Sequence, residues 1–138
     1  MYDIQSFYEA VSVADAIQKL QTWPDAEIIS GGSDVLIKIR EGKLAGKSLV
    51  SIHNIAELKG VEMEDDGTIL IRPGTSFSHI TAHPIIQQHV PMLGYAVDQV
   101  GGPQIRNIGT IGGNVCNGVT SADSASSLFA FKDRKSVV

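Results

Sequence analysis

The 138-residue chain has one cysteine, Cys116, so no disulfide can form within it. No apolar run approaches the ~20 residues a helix needs to cross a bilayer. The start, Met1-Tyr2-Asp3-Ile4, has neither the basic nor the apolar stretch of a secretory leader. These absences predict a cytoplasmic protein without a membrane span. Lys and Arg total 11 against 15 Asp and Glu, a formal net charge of −4, and the basic residues cluster only in the tail Lys132-Asp133-Arg134-Lys135. A surface that tracks nucleic-acid phosphates needs more positive charge than this, so any phosphate site must be local. Aromatic residues are only 6% and internal repeats are lacking, while the 43% of hydrophobic residues is mostly Ile, Val, Leu and Ala spread along the chain. That is the composition of one folded domain able to bury a core.

Motifs that would assign a chemistry are also missing. The stretch Gly42-Lys43-Leu44-Ala45-Gly46-Lys47-Ser48 imitates a Walker A loop, but three residues, not four, separate its glycines. Glu41 stands where the first glycine belongs, and the stretch precedes a strand instead of following one. No Gly-x-Gly-x-x-Gly supports a Rossmann fold, and no Gly-x-Ser-x-Gly elbow anchors a hydrolase. His79 and His83 stand four residues apart, yet Pro84 breaks the register to His89 and no nearby Asp, Glu or Cys completes a metal shell. These histidines are expected on exposed helix surface. Cys116 lacks a Cys-x-x-Cys partner, which excludes a dithiol centre within the chain and leaves a buried or loop thiol as its expected state. No residue is assigned a catalytic or metal-ligating role.

What is present is an alternation of strand and helix signals. Ser12, with Asp15 three residues on and Ala16, Ile17 and Leu20 at helical spacing, predicts a helix over 12–21 that Pro24 ends. Glu27-Ile28-Ile29-Ser30 reads as a buried strand, Gly31-Gly32 as a turn, and Ser33-Asp34 as the cap of a helix through Val35, Leu36, Ile37 and Ile39. Leu49-Val50-Ser51-Ile52 predicts a second strand, followed by an exposed segment over 54–59. Asp65-Asp66-Gly67, between two apolar runs, predicts a hairpin over 61–71, since Asp-Gly supplies the positive φ of a tight turn. Ser76 caps a helix over 77–82, and Pro84 and Pro91 each open another, the last stopped by Gly101-Gly102-Pro103. A final helix over 122–131 precedes a charged tail. A strand–helix–strand unit beside an antiparallel hairpin indicates an α+β or mixed α/β domain.

Two glycine-rich segments remain. In the first, Gly31-Gly32 lies between a strand and a helix start, which leaves backbone N–H groups facing open space where an anion fits. A plain tight turn explains the same residues. In the second, Gly109-Thr110-Ile111-Gly112-Gly113-Asn114-Val115-Cys116-Asn117, the glycines permit close approach of backbone to a ligand, and Thr110, Asn114 and Asn117 offer side-chain hydrogen bonds. A Gly-rich surface loop is the alternative. Two such segments in one short chain favour a single elongated, phosphate-bearing ligand gripped from two sides. A few charge-assisted hydrogen bonds at ~1.5–3 kcal/mol each do not offset an association cost of ~4–15 kcal/mol. A large ring system must add buried area.

Ile28-Ile29-Ser30-Gly31-Gly32-Ser33-Asp34-Val35-Leu36 and Gln104-Ile105-Arg106-Asn107-Ile108-Gly109-Thr110-Ile111-Gly112-Gly113-Asn114, followed by Asp123, resemble the FAD-binding subunit of molybdenum hydroxylases. The likeness is strongest to the flavoprotein subunit of bacterial xanthine dehydrogenases, with the medium subunit of carbon monoxide dehydrogenase as a relative. It implies a two-lobed α+β FAD-binding domain, with residues 1–53 as a first lobe and 54–138 as an incomplete second. The family's C-terminal subdomain is expected to be absent, so the chain reads as a shortened flavoprotein. The cofactor-binding positions carried over are Glu27, Ile28, Ile29, Ser30, Gly31, Gly32, Ser33 and Asp34 in a first loop. Gly109, Thr110, Ile111, Gly112, Gly113 and Asn114 form a second, with Val100, Asn117 and Asp123 beside the cofactor. Asp34 and Asp123 are assigned to capping, ribose hydroxyls or loop bracing. The resemblance further implies a molybdopterin-binding subunit and an iron-sulfur subunit as partners, with electrons passing through FAD to NAD. A non-catalytic remnant acting as an interaction module and a general nucleotide-phosphate binder are the competing readings.

Overall fold

The computed structural model describes residues 2–132, so the charged tail lies outside the described residues from Asp133 onward. Strands β1 (Ile4–Glu9), β2 (Glu27–Ile29) and β3 (Lys47–Ser51) form an all-parallel sheet in the order β1-β3-β2, linked by helices α1 (Val13–Thr22) and α2 (Val35–Arg40). β3 is sandwiched in the centre, with Leu49 and Val50 at 1% and 0% exposure. α1 covers one face, burying Ala16 against Ala10, Val50 and Ile55, and α2 covers the other through Ile39 against Ile29 and Leu49. The sequence reading missed β1. Its pairing with β3 shifts register between Ile4 and Phe7. Burial still alternates along it, but Ser6 takes a half-buried position and Phe7 an exposed one, so the apolar residues do not follow the two-residue period by which a strand is recognised.

The start of α1 matches its sequence signature. The Ser12 hydroxyl oxygen accepts the Asp15 N–H at 3.1 Å, and the Asp15 carboxylate accepts the Val11 N–H at 2.9 Å and the Tyr8 hydroxyl at 2.8 Å. The Val11 N–H and then the Tyr8 hydroxyl hold the Asp15 carboxyl below its ordinary value of 3.8. The same bond raises the Tyr8 hydroxyl above 10.0. Because the folded pKa of Asp15 is depressed, its contribution to stability is present above 3.8 and lost as pH falls through the lower folded value. Asp15→Asn is therefore expected to flatten the loss of stability below about pH 4, checked by urea midpoints at pH 5 and pH 3. Ser12→Ala is expected to cost about 1 kcal/mol at neutral pH by the same measurement.

A second core begins beyond Leu58. The hairpin β4 (Val61–Met63) and β5 (Ile69–Ile71) pairs antiparallel with Glu62 opposite Leu70, and Gly67 takes the positive φ its turn requires. Helices α3 (Phe77–Ala82), α4 (Pro84–His89) and α5 (Pro91–Asp98) bury Phe77, Ile80, Ile86, Leu93 and Val97 with Val61 and Ile111. The predicted Ser76 cap is present, accepting the His79 N–H at 3.2 Å, and Pro84 and Pro91 open their helices. His83 is itself a cap, its Nδ1 accepting the Ile85 N–H at 3.3 Å, and its ring stacks on that of His79.

Several expectations need correction. The segment over 54–59 is not simply exposed: Ile55, at 1% exposure, is a core residue ahead of a single 3-10 turn, Ala56–Leu58. Asp34 stands at the N-cap of α2 in helical geometry and makes no capping bond, so Ser33-Asp34 does not act as the expected side-chain cap. Gly101-Gly102-Pro103 does not only end a helix. Pro103 takes the first position of a new one, α6 (Pro103–Ile108), where its missing N–H costs nothing. Arg106 braces that turn, pairing with Asp98 at 3.2 Å and donating to the carbonyl of Gly101 at 2.9 Å. Its side chain is only 19% exposed, so Arg106→Ala is expected to cost ~1–2 kcal/mol, read as a lower urea midpoint.

Candidate functional site

The largest correction falls on the second glycine-rich segment, which is a helix, α7 (Ile111–Asn117), and not a loop. Thr110 caps it with its hydroxyl oxygen, which accepts the Gly113 N–H at 3.2 Å, and Gly118 ends it in the left-handed region. Glycines 112 and 113 fall in the first turn, where capping compensates their low helix propensity. Cys116 is exposed on this helix, neither buried nor in a loop. The final helix, α8 (Ala125–Ala130), is shorter than predicted.

The two segments touch. The Thr110 and Ser30 hydroxyls stand 3.5 Å apart. A Cβ on Gly31 would lie 2.1 Å from the Ile108 carbonyl oxygen and 3.0 Å from the Gly109 Cα, so backbone lies directly against backbone at the junction. The crossing occurs at the carboxyl end of β2, the edge of a parallel sheet where ligands of α/β folds bind. Gly32 turns the chain there with φ of +76°, a conformation that excludes most side chains.

Close approach by the protein itself accounts for two more glycines. A Cβ on Gly112 would lie 2.6 Å from the Pro73 Cβ, and one on Gly109 would lie 3.0 Å from the Phe77 ring. Correspondingly, the N–H groups of Ile111, Gly112 and Gly113 are spent on Thr75, Pro73 and Thr110. Among the described residues, no acceptor takes the N–H groups of Gly31, Gly32, Ser33, Asp34 or Thr110. The unpaired donors thus come mainly from the first segment, where Gly31, Ser33 and Asp34 reach the surface while Gly32, like Thr110, is buried.

Side chains on α7 extend this inventory. Thr110, Asn114 and Asn117 follow at intervals of four and three residues, one stripe of the helix. The Asn114 side-chain oxygen accepts the buried Ser124 hydroxyl at 2.6 Å, and that of Asn117 accepts the Lys38 ammonium at 2.8 Å. With both oxygens occupied, each amide has its NH2 group left to offer, and neither donates within the described residues. The stripe therefore suits a ligand rich in acceptors. A separate cleft of about 240 Å³ is lined by His53, Lys59, Ser76, His79 and Asn107 among others, with no residue of the stripe in its wall.

Not every predicted residue joins this arrangement. Glu27 begins β2, roughly 10 Å of strand away from Ser30, and Ile29 is buried beneath α2. Ile28 lies on the opposite sheet face, half-exposed. Val100 packs on the second core at the far end of α6, and Asp123 is exposed beside Ser124. Sequence reasoning missed Lys38, Ser124, Asn107 and His53. Two of these carried a signal: Asn107 lies within the family-like segment over 104–114, and Ser124 stands next to Asp123.

Comparison with known proteins gives the family. Residues 2–133 match the family described as the FAD binding domain in molybdopterin dehydrogenase. The chain is 44% identical over 125 residues to the xanthine dehydrogenase FAD-binding subunit of Escherichia coli O157:H7, covering 91% of this chain and 43% of that protein. It is 35% identical over 124 residues to the nicotinate dehydrogenase FAD-subunit of Eubacterium barkeri, covering 88% and 42%. Among solved structures, carbon monoxide dehydrogenase from Hydrogenophaga pseudoflava superposes with a TM-score of 0.81 at 29% identity, over 86% of this chain and 41% of that one. The chain thus spans less than half the length of the relatives it matches. On this match over nearly its whole length, the chain belongs to the family of FAD-binding domains of molybdopterin dehydrogenases, whose cofactor is FAD.

Proposed function

We propose that this chain holds FAD where its two glycine-rich segments meet, as part of the electron-transfer flavoprotein of a xanthine dehydrogenase-like molybdenum hydroxylase. The observation that carries the reading is the donor array. Free N–H groups at Gly31, Gly32, Ser33, Asp34 and Thr110 stand with two amides whose oxygens are already engaged, a match for the acceptor oxygens of a diphosphate. The expected division into a first lobe over 1–53 and an incomplete second over 54–138 is supported by separate hydrophobic clusters, two among residues up to Leu58 and one from Val61 onward.

FAD, when bound, supplies the redox chemistry, and the protein supplies binding and orientation. In this reading Gly31, Gly32 and Ser33 bind through backbone N–H groups, Thr110 holds the turn between them and α7, and Asn114 and Asn117 donate from the helix stripe. The partners are a molybdopterin-binding subunit and an iron-sulfur subunit, with NAD as the electron acceptor and the cytoplasm as the setting. Relatives named as FAD subunits of dehydrogenases support the division of labour. Among the described residues there is no metal-binding group of His, Cys, Asp and Glu, and no helix long and apolar enough to cross a membrane.

The test is to purify the full chain with added FAD and record its spectrum. A retained flavin absorption supports the reading, and ADP should compete far less well than FAD. Equal competition by ADP would point to a general nucleotide-phosphate binder. Co-purification with the partner subunits without flavin would point to an interaction module.

A further inference from the structure

The Lys38–Asn117 bond joins α2, which follows the first glycine-rich segment, to α7, which follows the second, across 79 residues of sequence. Both side chains are half-buried. Among the described residues Lys38 pairs with no carboxylate, so its ammonium is spent on a neutral amide. That is an unusual use of a cation, because a charge drawn out of water ordinarily finds a counter-charge.

What the ammonium does to the amide is specific. An asparagine side chain can present either its oxygen or its NH2 group in a given direction, and an ammonium, having only donors, accepts nothing from it. At 2.8 Å from the Lys38 Nζ, the Asn117 oxygen must face the lysine, and the NH2 group must face away. Asn114, three residues earlier on the same stripe, is held in the same sense by Ser124.

We infer that Lys38 is a positioning residue of the cofactor site: it fixes Asn117 as a hydrogen-bond donor on the α7 stripe while tying the two cofactor segments together. This rests on the FAD reading above. Lys38 acts through Asn117, so its replacement alters both the direction of the amide and the spacing of the helices.

The test uses the full chain, with FAD binding followed by quenching of flavin fluorescence and the thermal midpoint of the FAD-free protein measured in parallel. Lys38→Met is expected to weaken FAD binding about tenfold, and Lys38→Arg, whose donors still reach the amide, to restore most of it. Asn117→Asp separates the two roles, because a carboxylate still accepts from Lys38 but offers no NH2. Its FAD-free thermal midpoint should hold or rise while FAD binding falls about tenfold or more. A brace without a donor role would leave in Asn117→Asp only the repulsion between carboxylate and phosphate, so an affinity that returns to that of the wild type at high salt would show that no donor was lost. Wild-type protein that binds FAD alongside a Lys38→Met or Asn117→Asp variant of equal affinity overturns this inference alone. Wild-type protein that binds no FAD overturns the FAD reading itself.

Discussion

Gly31→Ala is expected to destabilise the protein by about 3 kcal/mol or more, at the top of the range for overpacking. The added Cβ would stand 2.1 Å from the Ile108 oxygen, 2.8 Å from its carbonyl carbon and 3.0 Å from the Gly109 Cα. All three are backbone atoms, so no side-chain rotation relieves the clash. Either the first segment lifts from the second, separating the Ser30 and Thr110 hydroxyls, or the last turn of α6 unwinds and loses the bond from Gly109 N–H to the Ile105 carbonyl. Gly31 does not have a positive φ, so the effect is steric and not a backbone penalty. With a urea slope of ~1–3 kcal/mol per molar, the midpoint should fall by at least about 1 M. Gly94→Ala is the control. There a Cβ meets the side-chain methyl of Ile86 at 3.3 Å and the Thr81 Cα at an ordinary contact distance of 4.0 Å, in helical backbone, and the gain in helix propensity keeps the change within about 1 kcal/mol. Equal midpoints for the two variants would show that the segments do not meet as described.

Gly112→Ala is expected to cost about 2–3 kcal/mol despite standing in a helix, where alanine alone would gain about 1 kcal/mol. Its Cβ would lie 2.6 Å from the Pro73 Cβ and 2.7 Å from the Pro73 oxygen, and its N–H donates to that same oxygen at 2.9 Å. The proline ring is rigid, so relief requires α7 to move away from the turn after β5, breaking this bond and the neighbouring one from Ile111 N–H to Thr75. Both place α7 against the hairpin-and-helix core that holds Ile111. The stripe of Thr110, Asn114 and Asn117 would move with it, so weaker FAD binding should accompany the lower urea midpoint. A variant as stable as wild type would contradict the packing of α7 on Pro73.

These two glycines also show how far the sequence was legible. The segments themselves were visible, because strand, Gly-Gly and helix follow in order and because Thr110 and Asn114 sit at recognisable spacing. The purpose of the glycines was not. A sequence cannot distinguish a residue kept small for a ligand from one kept small for a carbonyl of its own chain, and the Ile108 and Pro73 contacts are 77 and 39 residues distant. Local signals were read well where chemistry is local, as with Ser12, Ser76, Pro84, Pro91 and Asp66-Gly67. They failed where tertiary packing decides, as with β1, where Ser6 is half-buried and Phe7 exposed, and Ile55, buried between Asn54 and Ala56 in a short irregular segment. Low helix propensity concealed α7, whose cap and contacts outweigh its glycines. Lys38 was unreadable because its partner lies 79 residues away.

The central claim is that the junction of residues 31–34 with Thr110 and the α7 stripe holds the diphosphate of FAD. Titrating the full chain with FAD and, in parallel, with riboflavin tests it most directly, since riboflavin keeps the ring system and lacks both phosphates. Saturable quenching by FAD, with riboflavin binding weaker by at least about tenfold, is the expected result. Equal affinity for the two, or binding of neither, would contradict it.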